Sequence, residues 1–167
     1  MTPAPLIAVS SSEGQTVLVG RVVGELARPG DVVVLVGELG AGKTVFAKGL
    51  AAGLGIDDVV VSPTFVLVRT VKGRITLHHA DLWRLEDARE IDDLGLGQLA
   101  EEGAVVAVEW GDKAGLKLGR ERLQVTIEVA DEASRTIVLE GEGASWEERW
   151  PALAERLREL RATAVAD

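Results

Sequence analysis

Eight consecutive residues set out the first chemistry available to this chain. Gly37, Glu38, Leu39, Gly40, Ala41, Gly42, Lys43 and Thr44 fit the spacing G-x-x-x-x-G-K-[ST]. Glycines at these positions let backbone N–H groups turn inward around phosphate oxygens. A helix starting at Lys43 would add the partial positive charge of its N-terminus. Lys43 would then reach β- and γ-phosphates, and the Thr44 hydroxyl is a hard oxygen ligand suited to Mg²⁺. A glycine-rich turn of purely structural purpose would leave Lys43 and Thr44 unexplained, so the stretch reads as a nucleotide-phosphate loop.

Phosphoryl chemistry also needs an acid for the metal or for the attacking water. In a parallel sheet such acids sit at the C-terminal ends of strands, beside the phosphate loop. Two apolar runs end this way: RITLHHAD delivers Asp81 and AVVAVEW delivers Glu109. One acid at a strand end is ordinary solvation, but two in a chain with a phosphate loop point to catalysis and metal binding. Either could take either duty. The guanine-reading signature N-K-x-D is absent, since the chain contains no Asn, and this favours ATP over GTP. Ser62-Pro63-Thr64-Phe65 has two readings: a switch in which Thr64 senses γ-phosphate through the metal, or a loop whose Pro63 only sets the entry to a strand. His78 and His79 would face opposite sides of a strand, which disfavours a shared metal. One of them is expected to pack or to orient Asp81.

The elements that must position these groups follow from periodicity. Leu6 to Val9 reads as a first strand. Ser12 and Gln15 have capping-box spacing before a helix from about Glu13 to Ala27, which Pro29-Gly30-Asp31 stops. The β-branched run Val32 to Val36 suits a strand buried on both faces of a parallel sheet. The phosphate loop then leads into a helix from Lys43 to about Leu54, ended by Gly55. Val66 to Val71 and Arg74 to Ala80 read as a hairpin around Lys72-Gly73. A helical pattern covers about Glu86 to Leu94, and Ala104 to Val108 is a strand ending at Glu109. Leu123 to Val129 and Thr136 to Leu139 read as a second hairpin around Asp131 to Ser134. Ser145 and Glu148 repeat the capping-box spacing before a final helix of about 145–163, unless Pro151 marks its first turn. The order predicts one α/β domain over residues 1–167, in three layers of the P-loop type. Its central sheet is mostly parallel with antiparallel hairpin additions.

Length and composition bound the rest. The chain has 167 residues, enough for one domain with a sizeable core. No apolar run approaches the ~18 residues of a membrane span, and the N-terminal stretch lacks the pattern of a signal peptide. The absence of cysteine excludes disulfides, thiolate metal sites and cysteine nucleophiles. A net charge of −9, with the arginines of ERLRELRA mixed among acids, argues against a main nucleic-acid-gripping surface. It favours instead a protein partner with a basic face.

GELGAGKT, SPTF, HADLWRL, DLGL and VEW together occur in the order and spacing of the TsaE (YjeE) family, which this chain resembles from about Glu13 to Leu139. The resemblance implies a small bacterial P-loop ATPase required for threonylcarbamoyladenosine in tRNA, beside the anticodon. It also implies a cytoplasmic protein that uses ATP and Mg²⁺. Activity would be weak alone and dependent on the TsaB and TsaD proteins, which perform the transfer. By position, Lys43 would contact phosphates and Thr44 would ligate Mg²⁺. Asp81 would be an essential acid near metal and water, and Glu109 a further metal or water ligand. Trp110 would lie near the nucleotide or partner, and Thr64 in the switch-like loop. Thr16 and Arg135 are candidates for the base or ribose side. Gly111-Asp112 departs from the family's usual Pro-Glu, which bears on the partner surface more than on the ATP site. Two rivals stand beside this reading. One is a small-molecule kinase, with Arg84 and Arg89 as lid residues. The other is a nucleotide-dependent binding module without useful turnover.

Overall fold

The computed structural model describes residues 2–57, 68–110, 112, 118–119 and 121–166, with side chains to residue 161. Along the chain run β1 (Leu6–Ser10), α1 (Glu13–Leu26), β2 (Val32–Val36), α2 (Lys43–Gly53), β3 (Val68–Val71) and β4 (Leu77–Asp81). There follow α3 (Ala88–Asp93), α4 (Leu96–Glu101), β5 (Val105–Glu109), β6 (Arg122–Val129), β7 (Arg135–Glu142) and α5 (Ala144–Ala166). The strands form one seven-stranded sheet in the order β1-β7-β6-β2-β5-β4-β3. Its centre, β6, β2, β5 and β4, is parallel; β7, β1 and β3 join through antiparallel pairs. This is the α/β fold with a parallel centre that the sequence predicts.

The β-branched run of β2 is buried on both faces, as a central parallel strand must be. Val33 and Leu35 join a core with α1, α2 and α5, whereas Val32 and Val34 join a second core with α3 and α4. The sheet is therefore the middle of three layers. Among the described residues no helix is long and apolar enough to cross a membrane.

Glycines decide how α2 lies. A Cβ on Gly20 would stand 2.3 Å from the Phe46 carbonyl oxygen, and one on Gly49 would stand 2.0 Å from that of Val17. Gly24 and Gly53 repeat the close approach one turn on, with 2.2 Å to the Leu50 oxygen and 2.3 Å to the Arg21 oxygen. Partners advance together along both helices, so α1 and α2 run in the same direction with their backbones in contact. Both N-termini emerge at the same end of the sheet.

Local expectations hold in part. Ser12 caps α1, its hydroxyl accepting from Gln15 N at 3.2 Å, while Gln15 Oε1 accepts from Ser11 N at 2.7 Å. The first hairpin pairs Val71 with Leu77, so its connection is Lys72 to Thr76 rather than Lys72-Gly73 alone. The longer turn docks on the helices: Arg74 N donates to Leu54 O at 2.7 Å, and its guanidinium donates to Gly24 O at 2.8 Å. These bonds fall on carbonyls at the C-terminal ends of the two helices, and at Gly24 O the guanidinium joins Ala27 N, which donates at 3.2 Å. Helix α4 lies beyond the helical pattern of about Glu86 to Leu94, and Gly95, at φ +62, separates it from α3. Ser145 is not an N-cap. Helix α5 starts at Ala144 with Glu147 N bonded to Gly143 O at 3.1 Å, and Pro151 lies inside it. The Ser145 hydroxyl instead accepts from Arg149 at 2.9 Å. Arg149 makes a buried bidentate pair with Asp31, at 2.6 and 2.8 Å, which ties α5 to the start of β2.

Candidate functional site

The phosphate loop leaves β2 at Val36 and enters α2 at Lys43, with Gly40 at φ +80 and Gly42 at φ +113. Those two angles exclude side chains without strain. Gly37 is held by space rather than angle, since a Cβ there would lie 2.7 Å from the Ile127 carbonyl oxygen. Beside the loop opens a cavity of about 600 Å³. Leu39, Gly40, Ala41, Gly42, Lys43 and Thr44 line it, together with Thr16, Asp81, Glu109, Trp110 and Arg135. Gly37 and Glu38 stand behind, offering carbonyls to Lys43. Thr64 lies outside the described residues. The other predicted residues thus converge at the C-terminal edge of the parallel strands, where open α/β sheets bind ligands. The N-termini of α1 and α2 both face this space, and each favours an anion there.

Lys43 is buried. Its Nζ donates to Gly37 O at 2.6 Å and to Glu38 O at 2.9 Å, and lies 4.0 Å from the centroid of the Trp110 ring. Burial pushes its pKa below the ordinary lysine value, while Glu109, Asp81 and Asp112 favour its charged form. Trp110 is the one non-glycine residue of positive φ among the described residues, at +61. Such a conformation costs about 1–3 kcal/mol, and here it turns the indole over the lysine. The Trp83 ring lies against it, with centroids 4.7 Å apart.

Asp81 and Glu109 are paired in register across β4 and β5. Asp81 Oδ1 accepts from Trp83 N at 2.9 Å. Both Glu109 oxygens accept from the Thr44 hydroxyl, at 3.0 and 3.1 Å. His79 Nε2 lies 2.6 Å from Glu109 Oε2. The expectation that one histidine orients Asp81 is thereby corrected: His79 bonds Glu109, because β4 leans its side chain across the small Ala107 opposite it. His78 faces the other way, to the Thr70 hydroxyl at 2.9 Å. Thr44 and Glu109 present hard oxygens on one spot, the donor set of a cation that also takes phosphate and water. Among the described residues no group of three or more His, Cys, Asp or Glu could hold a metal.

Thr16 and Arg135 are partly committed to the scaffold. The Ser10 hydroxyl donates to Ser12 O at 2.7 Å, so its 2.7 Å contact with Thr16 uses the threonine proton. Arg135 Nε donates to Ala41 O at 3.0 Å, and its Nη1 donates to Asp131 O and Ser134 O, each at 3.0 Å. One guanidinium therefore clips the second hairpin to the phosphate loop. Arg135→Ala is expected to weaken nucleotide binding about five- to tenfold, the worth of about one lost hydrogen bond at the loop. Titration with a fluorescent nucleotide checks this. The sequence reading missed Ser11, Ser12, Glu13, Glu132 and Ala133, which also line the cavity. A capping box and a hairpin turn were its only signals for them.

A family model described as threonylcarbamoyl adenosine biosynthesis protein TsaE matches residues 10–137. The chain is 40% identical over 131 residues to the tRNA threonylcarbamoyladenosine biosynthesis protein TsaE of Treponema pallidum, covering 78% of this chain and 97% of that one. It is 40% identical over 134 residues to the Bacillus subtilis protein of the same name, covering 80% and 84%. Among solved structures, that of Bacillus subtilis YdiB superposes with a TM-score of 0.76 at 31% identity, covering 95% and 97% of the two chains.

Proposed function

The chain belongs to the TsaE family of threonylcarbamoyl adenosine biosynthesis proteins, and from that premise we propose that it binds and hydrolyses ATP with Mg²⁺ in making threonylcarbamoyladenosine in tRNA. The work is done in the cytoplasm together with TsaB and TsaD. The observation that carries the reading is the convergence of Lys43, Thr44, Asp81 and Glu109 on one cavity beneath two helix N-termini.

The residues divide the task. The loop N–H groups and the two helix ends hold the phosphates. Lys43 gives up its carbonyl partners and turns its donors to the β- and γ-phosphates. Thr44 and Glu109 hold Mg²⁺, which when bound neutralises charge on the phosphates. Asp81, one strand away, orients the attacking water. Trp110 excludes bulk water from the lysine. The acidic chain takes no direct grip on tRNA, and TsaD with TsaB performs the transfer.

Reconstitution with TsaB, TsaD and tRNA tests this, reading ATP consumption and tRNA modification together. Hydrolysis is expected to be slow alone and to rise strongly with the partners. Stoichiometric phosphoryl transfer to a nucleoside or metabolite would overturn the reading in favour of a kinase. Partner assembly without ATP consumption would reduce the protein to a nucleotide-dependent binding module.

A further inference from the structure

His79 belongs to none of the roles above, yet it is almost wholly enclosed. Side-chain exposure is 1% for His79 and 4% for Glu109, and 2.6 Å separates Nε2 from Oε2. Strand alternation puts His79 on the same face of β4 as Asp81, two residues before it, and Asp81 stands opposite Glu109. A carboxylate can only accept, so Nε2 carries the proton and donates. The other ring nitrogen, Nδ1, is buried with no hydrogen-bond partner among the described residues. An unpaired buried nitrogen costs stability, and an apolar side chain would fill the same space without that cost. Packing therefore does not account for a histidine here; the bond to Glu109 does.

That bond complements the one from Thr44. The hydroxyl holds the carboxylate from the phosphate helix, whereas His79 holds it from the neighbouring strand. The Thr44 hydroxyl has lone pairs to turn to a cation while its proton stays with the carboxylate, and His79 adds a second donor that does not have to move. Partners of this kind orient metal-binding carboxylates. We propose that His79 is a positioning residue that fixes the Glu109 carboxylate for divalent-cation binding with Thr44. The proposal rests on the reading of Glu109 as a metal ligand.

The test compares His79→Gln, which retains an N–H of similar reach, with His79→Met, of similar length but without a donor. Mn²⁺ serves as the probe, its binding followed by its paramagnetic resonance in the presence of a non-hydrolysable ATP analogue. Nucleotide affinity in EDTA and thermal melting are measured alongside. His79→Met is expected to lower Mn²⁺ affinity about 10- to 100-fold, with affinity in EDTA unchanged within about twofold, the precision that separates lost coordination from a lost fold. His79→Gln should recover most of the Mn²⁺ affinity. Should His79→Met be unfolded at the assay temperature, His79→Leu takes its place as the donor-free variant. A folded donor-free variant with parental Mn²⁺ affinity, or a His79→Gln no better than it, overturns the proposal. Glu109→Gln separates the two levels: parental Mn²⁺ affinity in that variant would overturn the metal reading of Glu109 itself.

Discussion

Glu109→Gln is expected to lower ATP turnover in the partner-activated protein by about two to three orders of magnitude, the usual worth of one electrostatic group at a transferring centre. The amide keeps the size of the side chain and can still accept from His79. It removes the charge that a cation between Thr44 and the phosphates would require. Without metal the sign reverses for binding, because Glu109 is buried and repels the phosphates of an incoming nucleotide. Affinity in EDTA should therefore be equal or higher in the variant. Asp81→Asn should also lose turnover but retain more of the cation affinity if its duty is toward water. Phosphate release and nucleotide titration, each with and without Mg²⁺, separate the outcomes. Unchanged turnover in both variants would remove these acids from the chemistry.

Gly49→Ala should be the most damaging single-methyl change in the fold. Its Cβ would meet backbone only: the Val17 carbonyl oxygen at 2.0 Å, the Val17 carbonyl carbon at 2.8 Å and Arg21 N at 3.0 Å. No rotamer relieves such a clash, so α1 and α2 must separate. Overpacking of this kind costs about 1–3 kcal/mol or more, against a gain of up to about 1 kcal/mol in helix propensity. A net loss of about 2 kcal/mol lowers the melting temperature by about 4–8 °C in a chain of this size. Nucleotide affinity should fall with it, because the two N-termini would no longer converge. Gly14→Ala is the control. A Cβ there meets nothing nearer than the Ser12 hydroxyl oxygen at 3.7 Å, so stability should hold or rise. Equal melting temperatures for the two variants would refute close helix contact.

These two variants also mark how much was legible in the sequence. The phosphate loop is local, so its spacing and the strand before it were enough. Asp81 and Glu109 could be found because each ends its own apolar run, and the C-terminal ends of parallel strands share one edge of the sheet whatever its order. The His79–Glu109 bond depends on register: only the pairing of Asp81 with Glu109 brings His79 within reach. Four of the five glycines of α1 and α2, namely Gly20, Gly24, Gly49 and Gly53, only cost helix propensity in the separate helices, and their purpose shows when the helices are laid together. Arg74 lengthens the first hairpin's turn because its partners lie at the ends of α1 and α2, a tertiary contact that overrides turn chemistry. Ser145 has the residue type and spacing of a cap, but a buried arginine claims its hydroxyl. Thr64 and its loop lie outside the described residues.

The strand order also sets a timetable. The residues of β2 and the phosphate loop are complete by Thr44, yet β2 is flanked by β5, which ends at Glu109, and by β6, which ends at Val129. A ribosome working at about 5–20 residues per second needs on the order of ten seconds to supply both neighbours. During that interval the apolar run Val32–Val36 has neither of its native strands to pair with, the condition under which β-rich segments aggregate. The nucleotide site, written early in the chain, is among the last things the nascent protein completes. ATP can reward the finished sheet by mass action, but it cannot act as a template for the strands that build it.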